Sequence, residues 1–257
     1  MYKRQPLTYA YNLISTNDSY AISQEISKAN SFYGLNSGKT DSHQMKNSEW
    51  GAVAYLTQSS YGRNGTEVTV NSKNLQNLGT RFIYAVTGYT NKIANQVEAS
   101  STNNMSGIFD LNGCVWERTA AYISNGNTSL SSYGQSYANT TENANGYQTL
   151  STKWATVYPY NSSSDSNTNN YSLYSGKKST TYGFGDAVLE TSTTGPGSTS
   201  WNGDCSGFPY TSSPFFQRGG YYNDTSGAGL FAFNYSNGVP IYGSGFRSVL
   251  VLSLIHI

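Results

Sequence analysis

Residues 103–117 read NNMSGIFDLNGCVWE. Two apolar runs, 107–111 and the opening of 115–122, sit between Gly and Asn punctuation, and runs of that length predict short strands. Trp116 is large enough to fill a core that has few long elements around it. Glu117 has a candidate partner in Arg247, in an ion pair that orders loops more than it stabilises them. Outward from this stretch the pattern recurs: 66–70, 215–222, 229–233 and 245–251 are further strand candidates bounded by Gly, Asn or Ser. Alternation over 230–235 puts Phe231 and Phe233 on a core face and Leu230, Ala232 and Asn234 on the other. Gly219 and Gly220 permit backbone angles or close approaches that a side chain forbids. Upstream, 19–33 predicts a helix, with Ile22, Ile26 and Ala29 at near-helical spacing and Gly34 as a stop. A second helix is predicted over 41–56, where Met45, Glu49, Ala52, Val53 and Leu56 share a face and Asp41 or Ser42 caps the first turn. The stretch 125–170 has no periodicity and a low-complexity peak at 161–171 (NSSSDSNTNNY), which reads as a long loop. No internal repeat is present. The expected fold class is α+β: one irregular domain with two helices near the N-terminus, short antiparallel strands and long loops.

The ends carry a different signal. The last six residues, LSLIHI, are what CTG TCT CTT ATA CAC ATC encodes, a common transposon-type sequencing adapter. Its reverse complement, read from a GTG start, gives MYKRQ, the first five. We therefore read 1–5 and 252–257 as adapter-derived, and 6–251 as the domain, a truncated fragment of a bacterial reading frame. Setting aside Lys3 and Arg4 turns the net charge from +1 to −1, so no basic surface calls for nucleic acid or anionic lipid. Only 11% of residues are charged, whereas 23 are Tyr. An intracellular enzyme carries about a quarter charged residues, so this composition points outside the cytoplasm, to an extracellular or cell-surface location. A surface of Tyr, Ser, Asn and Gly makes contacts by stacking and hydrogen bonding at little entropic cost. No run of apolar residues is long enough to span a bilayer. Cys114 and Cys205 form a disulfide only if their Cα atoms approach, which spacing does not decide.

Reactive constellations are scarce. With His256 in the adapter segment, His43 is the one native histidine, placed on the first turn of the second predicted helix as a solvated or capping residue. A Ser-His-Asp or Cys-His arrangement has no other base to use, and His/Cys metal clusters fail on numbers. Asp186 with Glu190, or Asp204 with Asp224, are candidate carboxylate pairs for glycoside hydrolysis, a question that spatial separation decides. Gly183-Phe-Gly185 and Gly195-Pro-Gly197 lack the strand-loop-helix setting of phosphate loops and read as turns.

Three blocks in register, spanning residues 47–247, resemble the formylglycine-generating-enzyme (sulfatase-modifying-factor) family, a branch of the C-type-lectin-like folds. They are Asn47-Ser-Glu-Trp50 with Gly-Ala-Val-Ala-Tyr55, the stretch 103–117, and Arg218-Gly-Gly220 closed by Gly245-Phe-Arg247. The resemblance implies a structural set of Trp50, Trp116, Glu117, Gly219, Gly220, Phe246 and Arg247. In the family's enzymes two cysteines shortly after the Gly-Gly bind copper and oxidise a substrate cysteine. Here those places fall on Asp224 and Gly229, neither of which supplies the thiolate that copper(I) selects, so no catalytic residue is expected. The C-terminal block, Gly219-Gly-Tyr-Tyr-Asn223 with Ala228-Gly229, is similar to retroelement-diversified lectin-fold proteins and related bacterial surface proteins. Carried over by position, the contact candidates are Trp201, Tyr222, Asn223, Asp224, Asn234, Tyr235, Asn237 and Tyr242. The implied function is a non-catalytic extracellular ligand-binding or adhesion module whose partner is a glycan or a surface protein. The alternatives are a degenerate or re-purposed enzyme of the same fold, and a phage tail receptor-binding protein. No cofactor is expected, with calcium left open: such folds hold it with Asp, Asn and backbone oxygens, and Asn202, Asp204, Asn223 and Asp224 are suitable donors. Turn capping explains those four equally well.

Overall fold

A computed structural model describes residues 11–28, 35, 40–71, 74–75, 84–85, 97–104, 106–134, 154–177 and 185–252. The segments 1–5 and 253–257, and 135–153 of the long predicted loop, lie outside the described residues. In chain order the helices are α1 (Thr16–Glu25), α2 (Asn47–Gln58), α3 (Thr128–Tyr133) and α4 (Asn167–Lys177). The strands are β1 (Thr40–Gln44), β2 (Asn74–Leu75), β3 (Tyr84–Ala85), β4 (Trp116–Ile123), β5 (Thr156–Tyr158), β6 (Pro196–Gly197) and β7 (Ser206–Gly207). They continue with β8 (Phe215–Arg218), β9 (Phe233–Ser236), β10 (Ser244–Phe246) and β11 (Ser248–Leu252). The class is α+β, as expected. The strands are not all antiparallel, however: β5 and β10 run parallel to β4, and β7 runs parallel to β9.

β4 organises the molecule. Its eight residues are all buried, because β8 pairs along one edge while β10 and β5 divide the other, at 116–118 and 121–123. Its two faces feed separate clusters. Ala121 and Ile123 join Phe216 of β8, Phe233 of β9 and the Tyr158, Tyr174 and Phe208 rings. Ala120 and Tyr122 join Phe215, Tyr20, Leu130 and Val157. Sheet order continues β8-β9-β7-β6, and β1 pairs antiparallel with β11 in a separate ribbon. Glu117 and Arg247 form the expected ion pair, with Arg247 Nε 2.8 Å from Glu117 Oε2 and its Nη2 also donating to the Phe109 carbonyl. Trp50 and Trp116 are buried as read, and Phe246 meets Tyr11 edge-on at 5.8 Å. Gly219 and Gly220 have φ of 87° and 82°. A Cβ on the first would lie 2.8 Å from the Leu111 carbonyl oxygen, and on the second 2.4 Å from Ala228 Cα.

Several boundaries differ from the sequence reading. The predicted second helix splits: 40–44 is strand β1, drawn into extended form by five register pairs with β11, and α2 begins only at Asn47. Its start is set by Glu49, whose carboxylate accepts the Lys46 N–H at 2.8 Å. The buried face is Asn47, Trp50, Gly51, Ala54 and Thr57, while Leu56, placed inside by the sequence reading, is 61% exposed. Gly51 fixes this rotation, since a Cβ there would lie 2.0 Å from the Gly185 carbonyl. α1 starts at Thr16 and ends at Glu25, and it buries Thr16, Ser19, Tyr20 and Ser23 rather than Ile22, which is 39% exposed. Its serines bond inward: Ser19 Oγ is 2.8 Å from the Thr16 carbonyl and 3.0 Å from Gln44 Oε1. Ala29 lies outside the described residues.

The low-complexity loop contains α4, which is locked by Asn170 and two tyrosines. Asn170 Nδ2 donates to Asp165 Oδ1 at 2.7 Å and to the Pro209 carbonyl at 3.0 Å, while Tyr171 and Tyr174 enter the core. Of the other strand candidates, 66–70 and 107–111 make only isolated bridges nearby, Asn71 to Gly113 and Ser100 to Phe109. The 215–222 strand stops at Arg218, and 229–232 is a turn with β9 starting at Phe233. The alternation over 230–235 therefore fails in its first half, where Leu230, Phe231, Ala232 and Phe233 are all buried. Finally, 245–251 breaks at Arg247, leaving β10 beside β4 and β11 beside β1.

Candidate functional site

The sheet has two ends, and the contact candidates fall unequally between them. β8 and β9 pair with Arg218 opposite Phe233 and Phe215 opposite Ser236, so the 219–232 connection closes one end. Because Ser244 pairs with Trp116 and Ser206 with Phe233, Tyr242 and the 201–205 loop come to that same end. Trp201, Tyr222, Asn223, Asp224 and Tyr242 thus share one rim. Asn237 follows Ser236 at the opposite end, at least about 10 Å of strand away. Asn234 and Tyr235 lie between, on β9 itself: Asn234 Oδ1 accepts the Tyr235 N–H at 2.9 Å, and the Tyr235 ring meets Tyr210 edge-on at 4.8 Å.

Three of the rim residues, Trp201, Tyr222 and Asp224, are held from behind. Trp201 is 49% exposed, yet its indole packs edge-on against Phe231 at 5.0 Å and Tyr55 at 6.4 Å. The Trp201 backbone N–H donates to the Thr191 carbonyl at 2.8 Å. The loop turns through Asn202 and Gly203, both left-handed, and returns by Asp204 N–H to the Trp201 carbonyl. The Tyr221 and Tyr222 rings lie 4.1 Å apart, with Tyr221 packed on Cys114 and Val115 and the Tyr222 N–H donated to the Cys114 carbonyl. Asp224 is a brace as well as a rim residue: its Oδ2 accepts the Tyr221 N–H at 2.7 Å and its carboxylate accepts from the Trp116 side chain. Burial raises its pKa and these bonds oppose the rise. Sequence reasoning missed Tyr55 and Tyr221 as supports. Tyr55 was in view inside the first motif block, but only the rotated face of α2 turns it toward Trp201.

Beneath the rim is a charged core. Arg218 is fully buried, with Nη1 and Nη2 each 3.0 Å from a backbone carbonyl, of Asp186 and Ala187, and its guanidinium over the Trp50 and Phe233 rings at 5.7 and 5.8 Å. The Asp186 carboxyl accepts from the Tyr158 hydroxyl at 2.6 Å and the Tyr174 hydroxyl at 2.8 Å. Burial first, and then the Glu190 carboxylate, push it up to about 6 against those bonds. Asp186 is sealed by aromatic rings, so the suggested pairing with Glu190 does not face an open cleft. Cys114 and Cys205 are not joined in a disulfide. Burial, with Asp224 and Asp204 nearby, pushes the Cys205 thiol up to about 11, which keeps it protonated at neutral pH.

His43 is not the solvated or capping residue expected. Strand β1 buries it to 3% exposure, with Nε2 2.8 Å from Glu49 Oε1 and Nδ1 3.6 Å from Asp41 Oδ1. Pairing with β11 replaced the helical turn that would have left it in water. Among the described residues no three or more His, Cys, Asp and Glu side chains are grouped to share a metal ion, and no helix is long and apolar enough to cross a membrane. No protein-family model matches the chain, and no curated protein matches it.

Proposed function

We propose that this domain is a non-catalytic ligand-binding or adhesion module of a bacterial surface protein, acting outside the cytoplasm and contacting a glycan through the rim that carries Trp201, Tyr222, Asn223, Asp224 and Tyr242. The observation that carries the reading is the division of labour at that end of the sheet. Aromatic and amide side chains stand at the rim, while the groups that could do chemistry, Arg218 and Asp186, are sealed behind rings. The motif resemblance to the formylglycine-generating-enzyme and C-type-lectin-like families supports the same reading, since the copper thiol positions hold Asp224 and Gly229. An indole propped on Phe231 and Tyr55 loses little freedom when a sugar ring stacks on it, and the Asn and Asp neighbours can orient hydroxyls.

A glycan array probed with the whole chain, followed by calorimetry on the best hit, tests this. Trp201→Ala and Tyr222→Ala are expected to weaken binding tenfold or more, the size of an ordinary hot-spot loss of about 1.4 kcal/mol. Asn237→Ala, at the far end of the sheet, is expected to leave affinity unchanged. Binding that is indifferent to Trp201 and Tyr222, or lost only with Asn237, would refute the rim assignment; capture of proteins but no glycan would reassign the partner.

A further inference from the structure

Tyr235 is a contact candidate that the rim leaves over, and it does not stand alone. Its ring meets Tyr210 edge-on with centroids 4.8 Å apart, and its hydroxyl donates to the Tyr210 hydroxyl. That contact brings together the ring carbons beside the two C–O bonds, which are the positions at which phenol radicals couple. Both rings stand on fixed backbone. Tyr235 lies on β9 opposite Phe216 of β8. Tyr210 opens a turn closed by two backbone bonds to Ser213, of 3.2 and 2.7 Å, and the next residue, Thr211, is tied to Asp165 by its N–H at 2.9 Å and its hydroxyl at 2.7 Å. Tyr235 is 36% exposed and Tyr210 half-buried, so an oxidant reaches the pair from solvent. Two other tyrosine pairs among the described residues lack this combination. Tyr158 and Tyr174, 4.9 Å apart, are sealed in the core with both hydroxyls donated to Asp186. Tyr221 and Tyr222 are neighbours in the chain, where a bond between the rings would close a tight cycle across one peptide unit.

We propose that Tyr210 and Tyr235 form an oxidative cross-linking site, at which a haem peroxidase supplied with hydrogen peroxide joins the two rings as dityrosine. Each phenol gives one electron and its hydroxyl proton to the oxidant. The two radicals form one carbon–carbon bond between the ring positions beside the hydroxyls, and the hydrogens displaced from those carbons return to the oxygens as protons, restoring both phenols. One peroxide takes up the two electrons and two protons and leaves as two waters, so the protein loses two hydrogen atoms. Because the rings are already held in contact, coupling within one molecule outruns coupling between two. The bond encloses β8 and the 219–232 connection, and so closes a covalent loop around the segment that carries much of the rim. The site does not depend on a glycan and stands whether or not the rim binds one.

The test treats the full chain, in dilute solution, with a haem peroxidase and equimolar hydrogen peroxide, and isolates the monomer for digestion and mass spectrometry. Trypsin cuts after Lys178, Arg218 and Arg247, so the bond joins 179–218 to 219–247, two peptides otherwise separate, with the loss of two hydrogen atoms and with the blue fluorescence of dityrosine. Tyr210→Phe and Tyr235→Phe keep the ring packing and remove only a hydroxyl. Each is expected to abolish the joined species, and Tyr61→Phe, at a ring 88% exposed, to leave its yield unchanged. Absence of the joined species from the wild-type monomer overturns the proposal. A joined species that persists in Tyr210→Phe or Tyr235→Phe, or dityrosine confined to dimers, overturns it as well.

Discussion

Arg218 gives its two amino groups to the Asp186 and Ala187 carbonyls, and its charge rests between the Trp50 and Phe233 rings. Removing it leaves the Asp186 carbonyl without the guanidinium donor, worth about 1–3 kcal/mol, and the Ala187 carbonyl with Thr191 Oγ1 at 3.1 Å, beyond the lost packing and ring contacts. Arg218→Met is therefore expected to destabilise the domain by about 3–5 kcal/mol, measured by urea unfolding. Arg218→Lys should recover only part of that, because an ammonium cannot match the planar fork that spans both carbonyls. A loss under about 1 kcal/mol for Arg218→Met would show that the carbonyls find other donors. Arg218 was read in the sequence only as the opening of a motif. Its burial was not legible, because nothing local to Arg218-Gly-Gly220 reveals that 186–187 comes to meet it.

At the scale of elements, α2 shows how tertiary contact overrides a helical pattern. Counting Met45, Glu49, Ala52, Val53 and Leu56 as one face follows hydrophobicity and misses the face that binds. Asn47 reaches the Tyr158 hydroxyl at 2.9 Å and accepts from Thr119 at 2.8 Å, and Trp50 Nε1 donates to the Leu230 carbonyl at 2.7 Å. Leu56→Gln is accordingly expected to change stability by less than about 0.5 kcal/mol, and Trp50→Ala to cost about 3–5 kcal/mol. Comparable losses for the two in denaturant unfolding would restore the face drawn from hydrophobicity. α4 shows the opposite error. Asn167, Asn170, Tyr171 and Tyr174 stand at helical spacing, but a search for aliphatic residues passes over a face made of amide and phenol. β4 was legible nearly to its ends, since Val115, Trp116, Ala120, Ala121 and Tyr122 stand between Gly113 and Asn125 with no breaker among them, whereas β9 was placed four residues early because the 229–232 turn is as apolar as a strand.

For the whole molecule, the buried carboxyls matter more than the surface charge. The ion pair of Glu117 with Arg247 could be read from motifs, because each residue sits beside a motif aromatic, Trp116 or Phe246. The burial of Asp186 and of Asp204 could not, because it is made by segments that meet only in the fold: Tyr158 and Tyr174 on Asp186, and the Phe231 turn on Asp204. Its consequence is a pH dependence of defined sign. Asp186 is pushed up to about 6 and Asp204 to about 7, both from an ordinary 3.8. The native state then holds protons that the unfolded chain has released, so this contribution is complete below about pH 4 and is lost as pH rises through 6 and then 7. The melting temperature is expected to fall from pH 5 to pH 8. Asp204→Asn, which cannot ionise, should flatten the part above pH 6.5 and leave the decline between 5 and 6.5 that belongs to Asp186. A melting temperature that climbs across this window would mean that neither carboxyl is held protonated by the fold, and an Asp204→Asn profile parallel to the wild type would remove Asp204 from the account.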